Sequence, residues 1–315
     1  PVEAVFITAD RKRGIDLSKC VKCGECVVAC PPEYDAVRRV SPPELAPVVE
    51  RLAEGGAHLD YGEILKASLG PVEDGRFHAL LATQLAVAPA DILSWELCVC
   101  DTQPGTFWGA GQAFVANSQL DNLASCHAGL SALLGVESAA TTNVCAFFDH
   151  EEVGSESATG AGGSFIADVL RRIAASAGLD DEAYRCGLAR SFFISADMAH
   201  AWNPNFPAAY EPAHRVAVNG GPVIKTNANQ RYSTGADSAA RFMMLCEKAG
   251  VPCQQYAHRS DLGCGSTIGP IVAAGLGVAS VDVGSPMWAM HSIRESAGVL
   301  DHGYMIAALT AAFSD

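Results

Sequence analysis

Acidic residues gather where predicted strands end, and one histidine joins them. Glu151 and Glu152 follow an apolar run, and Asp197 follows a second predicted strand. Asp121 precedes a predicted helix, and His291 lies beyond a third strand. A buried cluster of carboxylates repels itself and raises its own pKa values, a conflict that divalent cations remove. Two such ions need a bridging carboxylate, terminal oxygen and nitrogen ligands, and open positions for water and substrate.

These residue types divide between holding a metal and moving a proton. The candidate metal ligands are the oxygen and nitrogen donors Asp121, Glu152, Asp197 and His291. Glu151 stays free, and a carboxylate beside a metal centre can take a proton from the attacking water. Taken singly, each residue is also explained as an ordinary loop residue. Their position at successive strand ends therefore carries the prediction of a metal site.

A second chemical pattern is a run of four closely spaced cysteines. The run is Cys20-x2-Cys23-x2-Cys26-x3-Cys30, followed by Pro31. This spacing is typical of bacterial ferredoxin segments, whose thiolates bind a 4Fe-4S cluster. A structural zinc site is the alternative. In two-cluster ferredoxins the fourth cysteine binds the other cluster, and this sequence has no second run. The run therefore predicts half of a two-cluster ferredoxin.

Alternating helices and strands must position these residues. A helix is predicted near residues 76–85 and a strand near 94–100. Beyond residue 109, strands alternate with helices of about 10–15 residues, which predicts an α/β fold with a mostly parallel central sheet flanked by helices. The helices predicted there cover about residues 122–134, 163–177 and 236–248, a segment after Gly269 and one ending near Phe313; the strands cover residues 143–148, 191–195, 251–257 and 278–283.

Composition and charge limit the class of protein. The 315 residues are 49% hydrophobic and 18% charged, which is typical of a globular protein. The net charge of -14 disfavours nucleic acid as a partner, because phosphates would be repelled. The sequence contains no long uninterrupted apolar run, so it predicts no membrane span. Eight of the twelve cysteines lie outside the run, mostly in apolar stretches, which indicates reduced core thiols in a cytoplasmic protein.

Seven further segments occur in a fixed order along the chain. They are Gln119–Leu123, Asp149–Ser155, Ser195–Ala201, Gly221–Lys225, Gln230–Tyr232, Gly265–Pro270 and Gly284–Glu295. In order and spacing they resemble the aspartyl aminopeptidase family of zinc exopeptidases, from about residue 58 to the end. The resemblance implies a cytoplasmic, homo-oligomeric hydrolase with two zinc ions, which cleaves the peptide bond after an N-terminal residue.

The resemblance also implies a role for each matching residue. Asp121 would bridge the two zinc ions. Glu152 and His291 would complete the site of one ion, and Asp197 would bind the other. Glu151 would be the general base, which takes a proton from water and passes it to the leaving amine.

Substrate preference follows from the same resemblance. The family prefers an N-terminal Asp or Glu, and Lys225 matches its cationic position. Tyr232 and His200 match positions that line the site. Without the motif, Lys225 would be a surface lysine and Tyr232 a packing residue. The glycine-rich segment 263–269 lacks the Gly-Lys-Ser/Thr ending of a phosphate loop, so we expect it to form substrate-site backbone.

Two parts of the family pattern are missing from this sequence. Family members have an upstream His-x-Asp segment that supplies one more zinc ligand, and a large dimerisation domain before the Asp121 motif. His58, in a His-x-Asp sequence, is the most similar histidine upstream of Asp121, but it lies in the part that resembles the tail of the dimerisation domain. The predicted organisation is a ferredoxin-like segment over 1–50, a dimerisation-domain remnant over 51–108 and a catalytic domain over 109–315. We expect the Asp197 metal site to be incomplete and the activity to be impaired.

Other functions stay open. One is an iron–sulfur electron-transfer module joined to a degenerate peptidase scaffold, either as a real fusion or through a joined reading frame. Another is an inactive protein that keeps one metal and binds peptide N-termini. The expected partners are peptides with an acidic N-terminus, and neither nucleic acid nor membrane is expected. Carboxylate-rich sites accept Zn, Mn and Co alike, so the native metal is open.

Overall fold

The computed structural model describes residues 5–7, 13–15, 76–95 and 100–315. The chain divides into two compact units, residues 1–100 and 101–315. In the first unit, strand β1 (Val5–Ile7) pairs antiparallel with β2 (Arg13–Ile15). Helix α1 (Arg76–Leu85) is where the sequence predicts it. The cysteine run 20–30, His58 and most of the predicted strand 94–100 lie outside the described residues. The predicted boundaries at residues 50 and 108 stay predictions.

The second unit is built on a seven-stranded sheet. Along the sheet the strands follow the order β3 (Thr106–Trp108), β4 (Phe114–Asn117), β9 (Glu295–Gly298), β8 (Ala279–Trp288), β6 (Val223–Thr226) and β7 (Gln254–Ala257). Strand β5 (Phe192–His200) runs parallel along one edge of β8, from Phe192 opposite Ala279 to His200 opposite Met287. Strands β6 and β9 share the other edge, at Val283–Gly284 and at Met287–Trp288. Strand β8 is therefore the centre of the fold.

Helices cover this sheet, and their ends follow ordinary capping rules. They are α2 (Leu120–Leu134), α3 (Phe165–Ser176), α4 (Asp181–Arg190), α5 (Ala236–Ala249), α6 (Ile268–Leu276) and α7 (Val299–Phe313). Thr267 caps α6 by accepting a hydrogen bond from the Gly269 amide at 3.2 Å. Gly250 and Gly277 end α5 and α6 in the left-handed region, which suits glycine. None of the described helices is long and apolar enough to cross a membrane.

The main core lies between the central strands and three helices. Ala128 and Ala132 of α2 are fully buried, and so are Val281 and Val283 of β8. Phe242 of α5 packs into the same cluster. Burial of a valine or phenylalanine side chain contributes about 1.5–3 kcal/mol to stability, and burial of an alanine contributes less. The core therefore fixes α2, whose N-terminus carries Asp121, against the strands that carry Asp197 and Lys225.

Several element predictions are confirmed and one predicted strand is wrong. Each helix predicted beyond residue 109 is present, and the regular part of α2 begins beyond Asn122 because Asp121 and Asn122 have non-helical dihedral angles. The strand predicted over 143–148 is wrong: this run joins no sheet in the described residues. A strand needs a hydrogen-bonded neighbour, and here Asn143 instead donates its side-chain amide to Phe313 O at 2.6 Å.

Helix α4 was missed by the sequence analysis. The sequence does contain a helix-start signal, because Asp180 is a favourable N-cap residue and acidic residues fill the first turn. In the structure the Asp180 carboxylate accepts a hydrogen bond from the Ala183 amide at 2.8 Å. The α/β class with flanking helices is confirmed, but the described sheet is mixed rather than mostly parallel. Only the β5–β8 and β6–β7 pairings are parallel, and the β3–β4 and β8–β9 hairpins have connections too short for a parallel crossover.

The cysteines outside the run mostly behave as expected. Among the described residues Cys246 is buried and the others are partly buried, except Cys186, which is exposed. The prediction of a core thiol is therefore wrong for Cys186, because it lies on the solvent-facing side of α4. All seven described cysteines are free thiols.

Asp301 is a buried carboxylate that joins α7 to the segment before β6. It accepts hydrogen bonds from the amides of Asn219 and Gly221 and is 1% exposed. Burial raises the pKa of Asp301 from 3.8 to about 6, although the two amides oppose this. Between these two pH values, Asp301 is therefore protonated in the folded state and ionised in the unfolded state.

We expect this proton to give a measurable pH dependence of stability. Because the folded-state pKa is raised, stability falls as pH rises from about 4 to about 6, by ~1–3 kcal/mol. Asp301→Asn lacks this loss, although it weakens one amide contact at every pH. The free energy of unfolding in urea, measured for both proteins across this range, should show a difference that shrinks as pH rises. A difference that stays constant would contradict the expectation.

Candidate metal centre

Asp121 lies at the irregular start of α2 and points into the protein. Its side chain is 5% exposed, and its Oδ2 lies 3.2 Å from His291 Nε2. Two neighbours hold this start in place. Asn122 donates its side-chain amide to Ala196 O at 3.0 Å, and Ser125 donates its hydroxyl to Asp197 O at 2.9 Å. The first turns of α2 are thereby fixed to the end of β5.

Glu152 and His291 complete a group of three donors around Asp121. Glu152 lies in a short 3-10 turn (Glu151–Val153), and its Oε2 is 3.3 Å from His291 Nε2. One ligand atom from each of the three residues lies within 4.8 Å of the others. The side chains of His291 and Glu152 are 61% and 55% exposed, so the group opens to solvent on one side. An ion has a path into such a site.

The electrostatics of Asp121 favour a cation at this place. Burial, followed by the charges of Asp197 and Glu152, raises the pKa of Asp121 to about 10. Its Oδ1 is buried and has no hydrogen-bond partner among the described residues. Two oxygen donors and one imidazole nitrogen suit zinc and similar divalent ions. The three residues therefore fit a metal ion that would remove the repulsion between the carboxylates.

Asp197 lies beside Asp121 but has another partner. It pairs with Gly284 of β8, where a Cβ atom would come within 2.6 Å of the Met198 backbone. Lys225 Nζ lies 2.9 Å from Asp197 Oδ2 and donates to Met198 O at 2.9 Å. Burial opposes ionisation of Asp197, but Lys225 and a hydrogen bond from Asp121 outweigh it and lower its pKa. An ammonium thus neutralises the predicted ligand of the second ion.

Lys225 itself is 3% exposed, so it is not the surface lysine of the alternative interpretation. Burial disfavours its charge, but Asp197 and Asp282 more than compensate and raise its pKa. We expect Lys225→Met to cost ~3–5 kcal/mol of unfolding free energy, because it leaves Asp197 buried without its partner. The double variant Lys225→Met with Asp197→Asn should regain most of that loss in urea denaturation. Equal stability of the single and double variants would contradict this.

Glu151 precedes Glu152 and faces the same carboxylates. Burial, followed by repulsion from Asp197 and Glu152, raises the pKa of Glu151 to about 7. A carboxyl group with a pKa near neutrality can accept a proton in one step and return it in the next. This property is what the predicted general base needs.

His150 directly precedes the glutamate pair, at the start of the turn that carries it. Its φ is 58°, in the left-handed region, which asparagine and histidine occupy more readily than most residues. Its ring Nδ1 lies 2.7 Å from Ser157 Oγ, and its amide donates to Asp149 Oδ1 at 2.9 Å. Histidine thus fits this turn, which carries both glutamates.

The predicted substrate-binding residues Lys225 and Tyr232 contact each other, and His200 ends β5. Tyr232 is buried in a small apolar cluster, and Lys225 Nζ lies 5.2 Å from its ring centre. Desolvation, followed by repulsion from His291 and Lys225, lowers the pKa of His200 from its usual value. Tyr232 therefore packs while also facing the lysine.

A cavity of about 630 Å³ begins at the last residues of β6 and β7. Arg231 and His258 line it, and so do Gly263 and Cys264 from the glycine-rich segment. Arg231 and His258 were not predicted to line a common cavity, because they come together only through the parallel pairing of β6 with β7. Of the segment 263–269, Gly263 and Cys264 line this cavity, and the expectation that the segment forms substrate-site backbone stays a prediction.

Comparison with known proteins identifies similar chains. A family model described as "Aminopeptidase I zinc metalloprotease (M18)" matches residues 70–313, and one described as "4Fe-4S binding domain" matches residues 14–33. A probable M18 family aminopeptidase 2 of Ectopseudomonas mendocina is 46% identical over 252 residues, which cover 79% of this chain. The chain spans 58% of the length of that relative.

Solved structures give a matching result for the fold. An M18 family aminopeptidase from Thermotoga maritima aligns with a TM-score of 0.76 over 99% of this chain and 70% of its own, at 21% identity. The structure described as the S. cerevesiae mApe1 dodecamer aligns with a TM-score of 0.65 at 27% identity, over 75% of this chain and 54% of its own. The fold of the described residues is thus that of M18 aminopeptidase structures.

Proposed function

The chain belongs to the M18 family of zinc aminopeptidases, and on that premise we propose that it hydrolyses the first peptide bond of peptides with an acidic N-terminal residue. The observation that carries this proposal is the group of Asp121, Glu152 and His291, with their ligand atoms within 4.8 Å of one another and Glu151 next in sequence. Such a group is the minimum for a hydrolytic metal site with an open position.

The chemistry divides between the ion and the chain. A divalent ion held by Asp121, Glu152 and His291 supplies, when bound, a positive charge that polarises the carbonyl of the scissile bond. Glu151 accepts a proton from the attacking water on a carboxylate oxygen. It then donates that proton to the nitrogen of the leaving amine. Burial and the neighbouring carboxylates raise the pKa of Glu151 in the metal-free protein, which favours its role as a proton acceptor.

The acidic preference is proposed from charge. Four carboxylates face the centre, so the side chain of an N-terminal Asp or Glu needs a nearby cation. Lys225 is charged and has three donor hydrogens, of which Asp197 and Met198 O take two. No third acceptor is found among the described residues, which leaves one donor for a substrate carboxylate, and Tyr232 stabilises the ammonium through its ring face. Arg231, in the cavity beside β6, adds a second positive charge.

We expect the activity of this chain to be low. The described residues supply three donors for one ion, whereas the second ion would have only Asp121 and Asp197, and Lys225 already neutralises Asp197. A site that lacks one of three ligands loses several kcal/mol of binding, judged from the ~10–16 kcal/mol of a full structural zinc site. One ion per chain and slow turnover are the proposed state.

The test is a metal titration of the purified chain with a parallel assay on Asp-, Glu-, Ala- and Lys-amide substrates. One tightly bound zinc with slow turnover, at least about 10-fold faster on the acidic substrates, is expected; tenfold corresponds to ~1.4 kcal/mol. Equal rates on all four substrates would reject the acidic preference. Binding of an acidic peptide without turnover would identify a one-metal peptide-binding protein instead. A chain without affinity for zinc would reject the metal centre.

Two further proposals concern partners and the N-terminal segment. The match to a dodecameric relative supports self-association of this chain, which light scattering would measure.

The 4Fe-4S model match supports a cluster bound by Cys20, Cys23, Cys26 and Cys30. Iron and acid-labile sulfide in the purified protein would support the electron-transfer alternative, and their absence after anaerobic reconstitution would reject it.

A further inference from the structure

Glu295, the first residue of β9, contacts both ends of the candidate metal centre. It is 2% exposed. Its Oε1 accepts a hydrogen bond from the His291 amide at 2.7 Å, and its Oε2 accepts one from the Asp121 amide at 2.9 Å. One carboxylate thus spans two candidate ligands that are 170 residues apart in the sequence.

The backbone on both sides of this carboxylate adopts costly conformations. His291 has a φ of 67°, and Gln119, two residues before Asp121, has a φ of 58°. Left-handed conformations of such residues cost ~1–2 kcal/mol each and persist only where the surroundings hold them. Glu295 itself is anchored, because it pairs with Asn117 of β4 in the sheet. A rigid strand therefore holds two strained segments through one side chain.

We propose that Glu295 is a positioning residue of the metal centre: its two carboxylate oxygens fix the backbones of Asp121 and His291, so that Asp121 Oδ2 and His291 Nε2 are set 3.2 Å apart before an ion arrives. This inference rests on the proposed metal centre. Ligands that are already in place lower the ordering cost of binding, and partners that orient ligands typically contribute 10–100-fold to metal affinity.

The chemistry of the contact requires a glutamate. Both acceptors meet N–H donors, so a glutamine would point one NH2 donor at another donor and keep only one contact. Aspartate is one methylene shorter and cannot reach both amides from the same backbone position. Arg294, the neighbouring cation, binds elsewhere, since its guanidinium lies 2.9 Å from Asp101 Oδ2. The Glu295 carboxylate thus faces the amides of Asp121 and His291, and the neighbouring Leu120 amide adds to the contact on the Asp121 side.

Asp301 offers a matched control for Glu295. It is also a buried carboxylate that accepts two backbone amides, those of Asn219 and Gly221. Neither Asn219 nor Gly221 belongs to the candidate metal centre. Glu295→Gln and Asp301→Asn therefore make the same chemical change in similar burial, and only the first one touches the ligands.

The first measurement is amide hydrogen exchange of the metal-free proteins by mass spectrometry. We expect Glu295→Gln to speed exchange at least about 10-fold in peptides that contain Asp121 and His291, corresponding to ~1.4 kcal/mol of local opening. Asp301→Asn should speed exchange around Asn219 and Gly221 instead. Unchanged protection at Asp121 and His291 in Glu295→Gln overturns the positioning role.

The second measurement is Co²⁺ affinity, followed by the visible absorption of the bound ion. We expect Glu295→Gln to bind Co²⁺ about 10–100-fold more weakly than the wild type, and Asp301→Asn to stay within about 3-fold. Equal weakening in both variants would mean general destabilisation and would overturn the inference. Glu295→Asp keeps the charge and one contact, so its Co²⁺ affinity should lie between those of the wild type and Glu295→Gln. It replaces Glu295→Gln in the test if that variant does not fold.

The two measurements separate this inference from the proposed function. A wild-type chain that binds no Co²⁺ rejects the metal centre, and the exchange result then decides on the backbone clamp alone. A wild-type chain that binds Co²⁺ with an affinity unaffected by Glu295→Gln keeps the metal centre and overturns the positioning role.

Discussion

Asp121→Asn should abolish tight metal binding and stabilise the metal-free protein at the same time. The substitution removes one of three donors, which costs several kcal/mol of binding, or about 100-fold or more in affinity. It also removes one carboxylate from a buried cluster in which burial and the neighbouring charges of Asp197 and Glu152 work against ionisation. Because this raises the pKa of Asp121 to about 10, the metal-free folded protein must hold a proton on Asp121 at neutral pH that the unfolded chain does not hold. Asparagine removes that cost, so we expect a gain on the order of 2 kcal/mol in unfolding free energy.

Calorimetric zinc titration and urea denaturation in the presence of a chelator measure these two effects separately. Asp181→Asn is the control, because it removes the same charge at a side chain that is 70% exposed on α4. That variant should leave both zinc affinity and stability within about 0.5 kcal/mol of the wild type. If Asp121→Asn binds zinc as tightly as the wild type, Asp121 is not a ligand. If it loses both binding and stability, the carboxylate cluster is not under electrostatic stress.

Glu151→Gln should reduce kcat by about 10²–10⁴-fold while leaving zinc affinity unchanged. Glutamine has nearly the same shape, but its amide cannot accept the proton of the attacking water or return it to the leaving amine. Substrate binding does not need that transfer, so KM should change by less than about 3-fold. Initial rates on an Asp-amide substrate at saturating zinc, at several substrate concentrations, give both constants even when the wild-type rate is low.

Glu156→Gln is the matched control for this substitution. Glu156 lies in the same loop, five residues on, and is exposed. The variant should keep the wild-type kcat and KM. A Glu151→Gln protein that retains more than about a tenth of the wild-type kcat would assign proton transfer to another group. A loss of zinc together with kcat would instead place Glu151 among the ligands.

Much of the candidate centre could be predicted, because its residue types lie next to recognisable elements. Asp121, Glu152 and His291 were expected together, and the structure brings their ligand atoms within 4.8 Å. The helices were predictable from apolar periodicity and caps, which act within a few residues. The strand predicted over residues 143–148 failed, because a strand depends on a hydrogen-bonded neighbour that local sequence does not specify.

The partners of individual charges could not be predicted in this way. Lys225 was expected to face the substrate, but in the fold it also binds Asp197, which was expected to hold a metal. Strands β5 and β6 flank β8 at Gly284, and the absence of a side chain at Gly284 brings the two strands' residues together. Glu295 received no role from the sequence, because the backbone amides that it binds become neighbours only through the β4–β9 pairing.

The sequence by itself therefore determined the family, the α/β class, the described helices other than α4 and the residue types of the centre, since motif order, periodicity and capping are all properties of the chain read in one dimension. The tertiary structure alone decided which carboxylates share a cation, which charge Lys225 neutralises and which residue holds the ligand backbones in place. These features depend on distances between segments that lie up to 170 residues apart, and such distances are set by how the strands pair and how the helices pack on them.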